Sequence, residues 1–77
     1  MPTVKLLDSI KILVYFKDHL PPHFHAVYNE YEVLIEINSL DIYSGYLPNK
    51  QLKRVMKWAA AHQPFLRSRW QEFNPNL

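Results

Sequence analysis

The spacing of apolar residues changes period once along this chain, near Pro48, and that change limits the folds open to it. Before it, Ile10, Ile12, Val14 and Phe16 alternate with Lys11, Leu13, Tyr15 and Lys17, and Val33, Ile35 and Ile37 alternate with Glu32, Leu34 and Glu36. A period of two puts successive side chains on opposite faces of a strand. After it, Leu52, Val55, Met56 and Ala59 recur at steps of three and four, and the stripe runs on through Gln63, Leu66, Trp70 and Phe73. That period is helical. Strands followed by helix predict an α+β fold: an antiparallel sheet of three to five strands from residues 4–47, covered on one face by a C-terminal helix or kinked helix pair over 49–73. The other sheet face is then left to solvent or to a partner.

Local features refine this outline. Asp8-Ser9 turns a short strand, Val4 to Leu7, into the strand at 10–16, and Asn29-Glu30 turns residues 23–28 into the strand that follows. The segment Ile42 to Leu47, with the only glycine, Gly45, reads as a weaker strand or a loop. Pro48-Asn49 starts the helix with Asn49 as N-cap, and Asn74-Pro75 ends it. Pro64 lacks an N–H and crowds the preceding turn, so one kinked helix and two helices both fit. The core expected from these phases is Ile10, Ile12, Val14, Phe24, Val33, Ile35, Leu52, Val55, Met56, Ala59, Leu66 and Trp70, with Trp58 off the stripe.

At 77 residues the chain is expected to be a single domain over 1–77, with a thin core. It has no cysteine, which excludes disulfides and thiolate metal sites and is consistent with a reducing cytoplasm. The first residues lack the apolar run of a signal peptide, and no segment approaches the roughly 20 apolar residues that cross a bilayer. A cytoplasmic protein with no membrane association is expected. The formal charge of +2 is mild, but residues 50–69 carry Lys50, Lys53, Arg54, Lys57, Arg67 and Arg69 and no acid. Lys50, Lys53, Arg54 and Lys57 share one helical flank, either as nucleic-acid contacts or as the ordinary solvated face of an amphipathic helix.

Chemistry concentrates at Asp18-His19-Leu20-Pro21-Pro22-His23-Phe24-His25. Three of the four histidines fall within seven positions, and imidazole is both the commonest metal ligand and the side chain that titrates near neutral pH. His19, His23 and His25 suit a divalent ion such as zinc, with Asp18, a glutamate or water completing the shell. They equally suit metal-free acid–base catalysis, for instance on an RNA 2′-hydroxyl, with Lys17 or the basic helix holding phosphate. An interface, or a purely structural turn, also accounts for them. Strand alternation sends Phe24 and Ala26 inward, which puts His23 and His25 on the face away from the helix, partly open to solvent. His19 is expected on the adjoining loop, held along an extended path by Pro21 and Pro22.

The opening Met-Pro-Thr-Val, a strand ending in aromatics, the block His19-x-x-Pro22-His23-x-His25, and a C-terminal helix running from lysine-rich to Trp-x-x-Phe together resemble the short prokaryotic domain-of-unknown-function 4160 family. The resemblance covers essentially the whole chain, and its most specific part carries over to His19, Pro21, Pro22, His23 and His25. The family has no established reaction. Its members are often encoded beside a small protein of the domain-of-unknown-function 2442 family, which implies a module protein acting with a cognate partner, such as a toxin–antitoxin component. The alternatives are a histidine-dependent RNA-directed enzyme and a small metal-binding protein. Two residues depart from the family pattern: Leu20 stands where an acid is frequent, and Pro64 interrupts a helix that is usually unbroken.

Overall fold

Five strands follow one another as an antiparallel meander: β1 (Thr3–Leu7), β2 (Ile10–Leu13), β3 (His23–Tyr28), β4 (Tyr31–Glu36) and β5 (Ile42–Gly45), in the spatial order β1-β2-β3-β4-β5. Two helices follow, α1 (Asn49–Ala61) and α2 (Gln63–Phe73). This is the α+β arrangement expected from the change of period. The computed structural model describes residues 3–16 and 18–75. The β1–β2 and β3–β4 hairpins close through two-residue loops whose first residues, Asp8 and Asn29, have φ of 57° and 53°. Positive φ in such loops matches the twist of the flanking strands, and Asp and Asn tolerate it better than most residues.

One face of the sheet and both helices share the core. Ile10, Ile12, Phe24, Ala26, Val33 and Ile35 from the strands meet Val55, Ala59, Leu66 and Trp70 from the helices, all buried. Burial of each large aliphatic or aromatic side chain contributes about 1.5–3 kcal/mol before the entropy of ordering is counted. Leu7, Ile37 and Leu47 join this cluster from strand ends and loops. Leu52 and Met56, expected inside, are half-buried at its margin.

The helical region is broken at His62, and Pro64 is the second residue of α2. A first-turn N–H has no intrahelical acceptor, so proline costs nothing there. Trp58 was expected off the stripe, yet it is buried, at 7% exposure. The break explains this: the Trp58 ring stacks on His62 at 4.9 Å and meets the edge of Phe65 from α2. Asn49 is not the N-cap. That position is Pro48, and α1 starts without a side-chain cap. β2 stops at Leu13, and Phe16, expected in phase with the core, is exposed against Phe73.

The outward face is not simply solvated. Lys11 and Glu32 are exposed there, but Leu13, paired with His25, is buried. β5 carries a bulge. Leu34 pairs with Ser44 and the adjacent Ile35 pairs with Ile42, so Tyr43 is the extra residue. Gly45, at φ +87°, packs directly on the Glu32 carbonyl, where a Cβ would collide with backbone. Among the described residues no helix is long and apolar enough to cross a membrane.

Candidate metal centre

The segment from Val14 to Pro22 links β2 to β3, and hydrogen bonds tie it down near both ends. The Ile37 amide donates to the Pro22 carbonyl at 3.0 Å. At the other end stands Asn74, buried just beyond α2. Its Nδ2 donates to the Tyr15 carbonyl at 3.1 Å, and its Oδ1 accepts the Asp18 amide at 2.7 Å. The Leu20–Pro21 peptide is cis.

Held in this way, Asp18 faces two imidazoles. His23 Nδ1 lies 2.8 Å from the Pro21 carbonyl oxygen. A carbonyl only accepts, so Nδ1 carries a proton, which leaves Nε2 as the ring's remaining donor or ligand atom. That Nε2 is 3.0 Å from Asp18 Oδ2 but is not aligned with it for a hydrogen bond, and this buried nitrogen has no hydrogen-bond partner among the described residues. His25 Nδ1 donates to Glu32 Oε2 at 2.9 Å, and its Nε2 lies 3.2 Å from the same Asp18 oxygen. The ligand atoms of Asp18, His23 and His25 fall within 4.8 Å of one another. Glu32 is the diagonal neighbour of His25 across the β3–β4 pair, within reach of a long side chain.

Aromatic rings wall this site. His23 is packed by Trp70 at 5.3 Å, Tyr43 at 5.5 Å, His19 at 5.1 Å and His25 at 5.2 Å between ring centroids. Tyr15 sits edge-on to His25 at 4.4 Å. The expectation that His23 is partly solvent accessible is therefore wrong: it is 0% exposed. Alternation does put it opposite Phe24, but the bulge delivers Tyr43 onto it and α2 brings Trp70. The side chains of His25 and Asp18 keep 13% and 16% of their surface, and His19 keeps 62%.

Burial raises the Asp18 carboxyl, but the His19 amide, the His25 hydrogen bond and the nearby His23 and His25 rings outweigh it and hold the group below its ordinary value. Tyr15 is pushed up, first by burial and then by the negative charges of Glu32 and Asp18. Asp18 is thus a carboxylate with two imidazole nitrogens within 3.2 Å of one of its oxygens. Two nitrogens and a carboxylate match the donor set of three-ligand zinc sites and of the two-histidine, one-carboxylate iron sites. A carboxylate on the distal nitrogen of a ligand histidine, as Glu32 is on His25, orients the ring and raises its basicity.

His19 does not converge with the other two: its Nδ1 is 3.0 Å from Asp18 Oδ1, on the carboxylate's other oxygen. His62 belongs to the helix junction, where its Nδ1 donates to the Trp58 carbonyl. Lys17 lies outside the described residues. Lys50, Lys53, Arg54 and Lys57 are exposed on α1, away from this cluster, and line a pocket of their own. Two contributors were not legible in the sequence: Asn74 looks only like a helix terminator, and Tyr43 needs the bulge. Strand alternation does put Glu32 on the outward face with the histidines, and the register of β3 on β4 brings it to His25.

The family model described as Domain of unknown function (DUF4160) matches residues 9–71, which include the whole histidine block. No curated protein and no solved structure matches the chain.

Proposed function

This chain belongs to the domain-of-unknown-function 4160 family, and we propose that it binds a divalent transition-metal ion, zinc first among candidates, through His23 Nε2, His25 Nε2 and Asp18. The observation that carries this reading is the buried His23 Nε2, which lies 3.0 Å from an Asp18 carboxylate oxygen and has no hydrogen-bond partner among the described residues. With Nδ1 committed to the Pro21 carbonyl, a neutral His23 ring would offer Nε2 as a ligand, and a cation held by it and by Asp18 would give this buried nitrogen the partner it lacks. Three protein ligands leave a fourth tetrahedral position for water, the pattern of catalytic rather than structural zinc. Zinc, when bound, would supply a water acidified toward neutral pH. His19 stands exposed beside Asp18, on the carboxylate's other oxygen, and would remain outside the ligand set.

Calorimetry of untagged protein with zinc tests this. One equivalent should bind, and His23→Ala or Asp18→Ala should weaken it by about a hundredfold or more, since each removes a direct ligand. His19→Ala should change it by only a few fold. Absence of zinc, iron(II) or manganese(II) binding by the wild type would defeat the proposal.

A second reading, docking of a cognate protein such as the family's genomic neighbour, draws on the β5 edge. β5 closes one side of the sheet, and Ile42, Tyr43 and Tyr46 are 50%, 42% and 60% exposed along it. A toxin–antitoxin role would follow from that docking. Co-purification of the two gene products, with and without Ile42→Asp, tests it: capture abolished by the substitution supports the docking, and capture by neither form removes it.

A further inference from the structure

Tyr28 lies at the opposite end of β3 from His23, about 16 Å along the strand. There it helps wall a pocket of about 450 Å³ between the β1–β2 turn and the first turns of α1. Lys50, Lys53, Arg54 and Lys57 all line it. They stand at i, i+3, i+4 and i+7, so each cation has another on the same helical flank three or four residues away. Such like-charge neighbours weaken an isolated helix. The only acid among the pocket's lining residues is Asp8, which engages Arg54 at 3.5 Å. No acid occurs anywhere from residue 50 to residue 69. The three lysines thus crowd one concave surface with their repulsion uncompensated by any lining acid other than Asp8.

We propose that this pocket binds the phosphates of a single-stranded nucleic acid. The cations recur once per helical turn, about 5.4 Å. A repeating backbone of phosphates meets such a row at every turn, which relieves the repulsion and releases counterions. The strand enters the concavity that α1 forms with the Asp8-Ser9 turn, which a rigid duplex bridges without filling. Tyr28, half-buried in the wall, supplies an aromatic surface beside the phosphate row, the combination used by single-strand binding grooves. This site is independent of the metal reading, because none of its residues belongs to the cluster around Asp18.

Fluorescence anisotropy of the full chain with a labelled ten-nucleotide RNA tests the proposal. The logarithm of affinity should fall with the logarithm of salt concentration with a slope of about −2 to −3, for three to four phosphates. Lys53→Glu/Lys57→Glu should lose about tenfold or more in affinity near 0.1 M salt, with an unchanged far-UV circular dichroism spectrum, because both side chains are exposed. Lys5→Glu/Lys11→Glu, exposed on the sheet away from the pocket, should match the wild type. Equal loss in both double variants would overturn the proposal. So would tighter binding to the duplex of the same sequence, equal competition by polyglutamate, or no salt-dependent binding at all.

Discussion

Asn74 accepts the backbone N–H of Asp18 through Oδ1 at 2.7 Å, so a residue at the end of the last helix positions a carboxylate 56 residues earlier in the chain. The same side chain donates to the Tyr15 carbonyl and to the Trp70 carbonyl. Its amide therefore ties the β2–β3 loop to α2 on a buried footing. Asn74→Ala removes three hydrogen bonds and leaves the Asp18 amide and the Tyr15 carbonyl without these partners, while the Trp70 carbonyl keeps the backbone N–H of residue 74; it should cost about 2–4 kcal/mol of stability. Asn74→Asp keeps the acceptor for Asp18 but loses the donor for Tyr15, and it should fall between wild type and alanine. Urea denaturation of the three proteins measures the order.

If the cluster binds zinc, the ion stabilises the folded chain by linkage. At free zinc one hundred times Kd the gain is about 2.7 kcal/mol, which for a domain of this size is about 10–20 °C in Tm. The shift should vanish with chelator and be absent in His23→Ala. A thermal scan with and without zinc, at fixed pH, reads this directly, and an unmoved wild-type Tm contradicts the ligand assignment.

Asp18 adds an acid dependence. Its carboxyl is held below its ordinary value in the folded chain. Between the folded and unfolded values the folded state therefore binds fewer protons. The stabilisation from this group is fully present above the unfolded value of about 3.9, and it is lost as pH falls through the lowered folded value. Asp18→Asn should flatten the stability curve in that acid window. Metal-free protein melted across pH 2–6 provides the comparison.

Gly45 is expected to resist substitution. It combines a φ of +87° with close approach to the Glu32 carbonyl, while the Tyr46 amide donates to that same oxygen at 2.9 Å. Gly45→Ala should cost about 1–3 kcal/mol. It should also displace β5, carrying Tyr43 away from His23. Hydrogen exchange of the β5 amides and the His23 ring resonances would register the displacement.

Ile35→Ala should cost about 2–5 kcal/mol, because Ile35 is fully buried between sheet and helices. Leu52→Ala, on a residue that only flanks the core, should cost less. Equal losses in a calorimetric comparison would place Leu52 as deep as Ile35.

Local pattern alone determined the α+β architecture, because the period of apolar residues reports which face of a strand or helix leaves water. Ile10, Ile12, Val33, Ile35, Val55 and Ala59 could be assigned to the interior for that reason. Turn chemistry did the same for Asp8 and Asn29, whose short side chains accept positive φ. The histidine block marked the candidate site for a compositional reason, and Asp18 could be named beside it. Tertiary structure decided the rest, because the missing determinants act between residues far apart in sequence. The burial of His23 depends on Trp70 and on a bulge that re-aims Tyr43. The orientation of His25 depends on Glu32 across a strand pair, and the position of Asp18 on Asn74. Separating His19 from the converging pair required the path of the loop itself, which spacing along the chain does not encode.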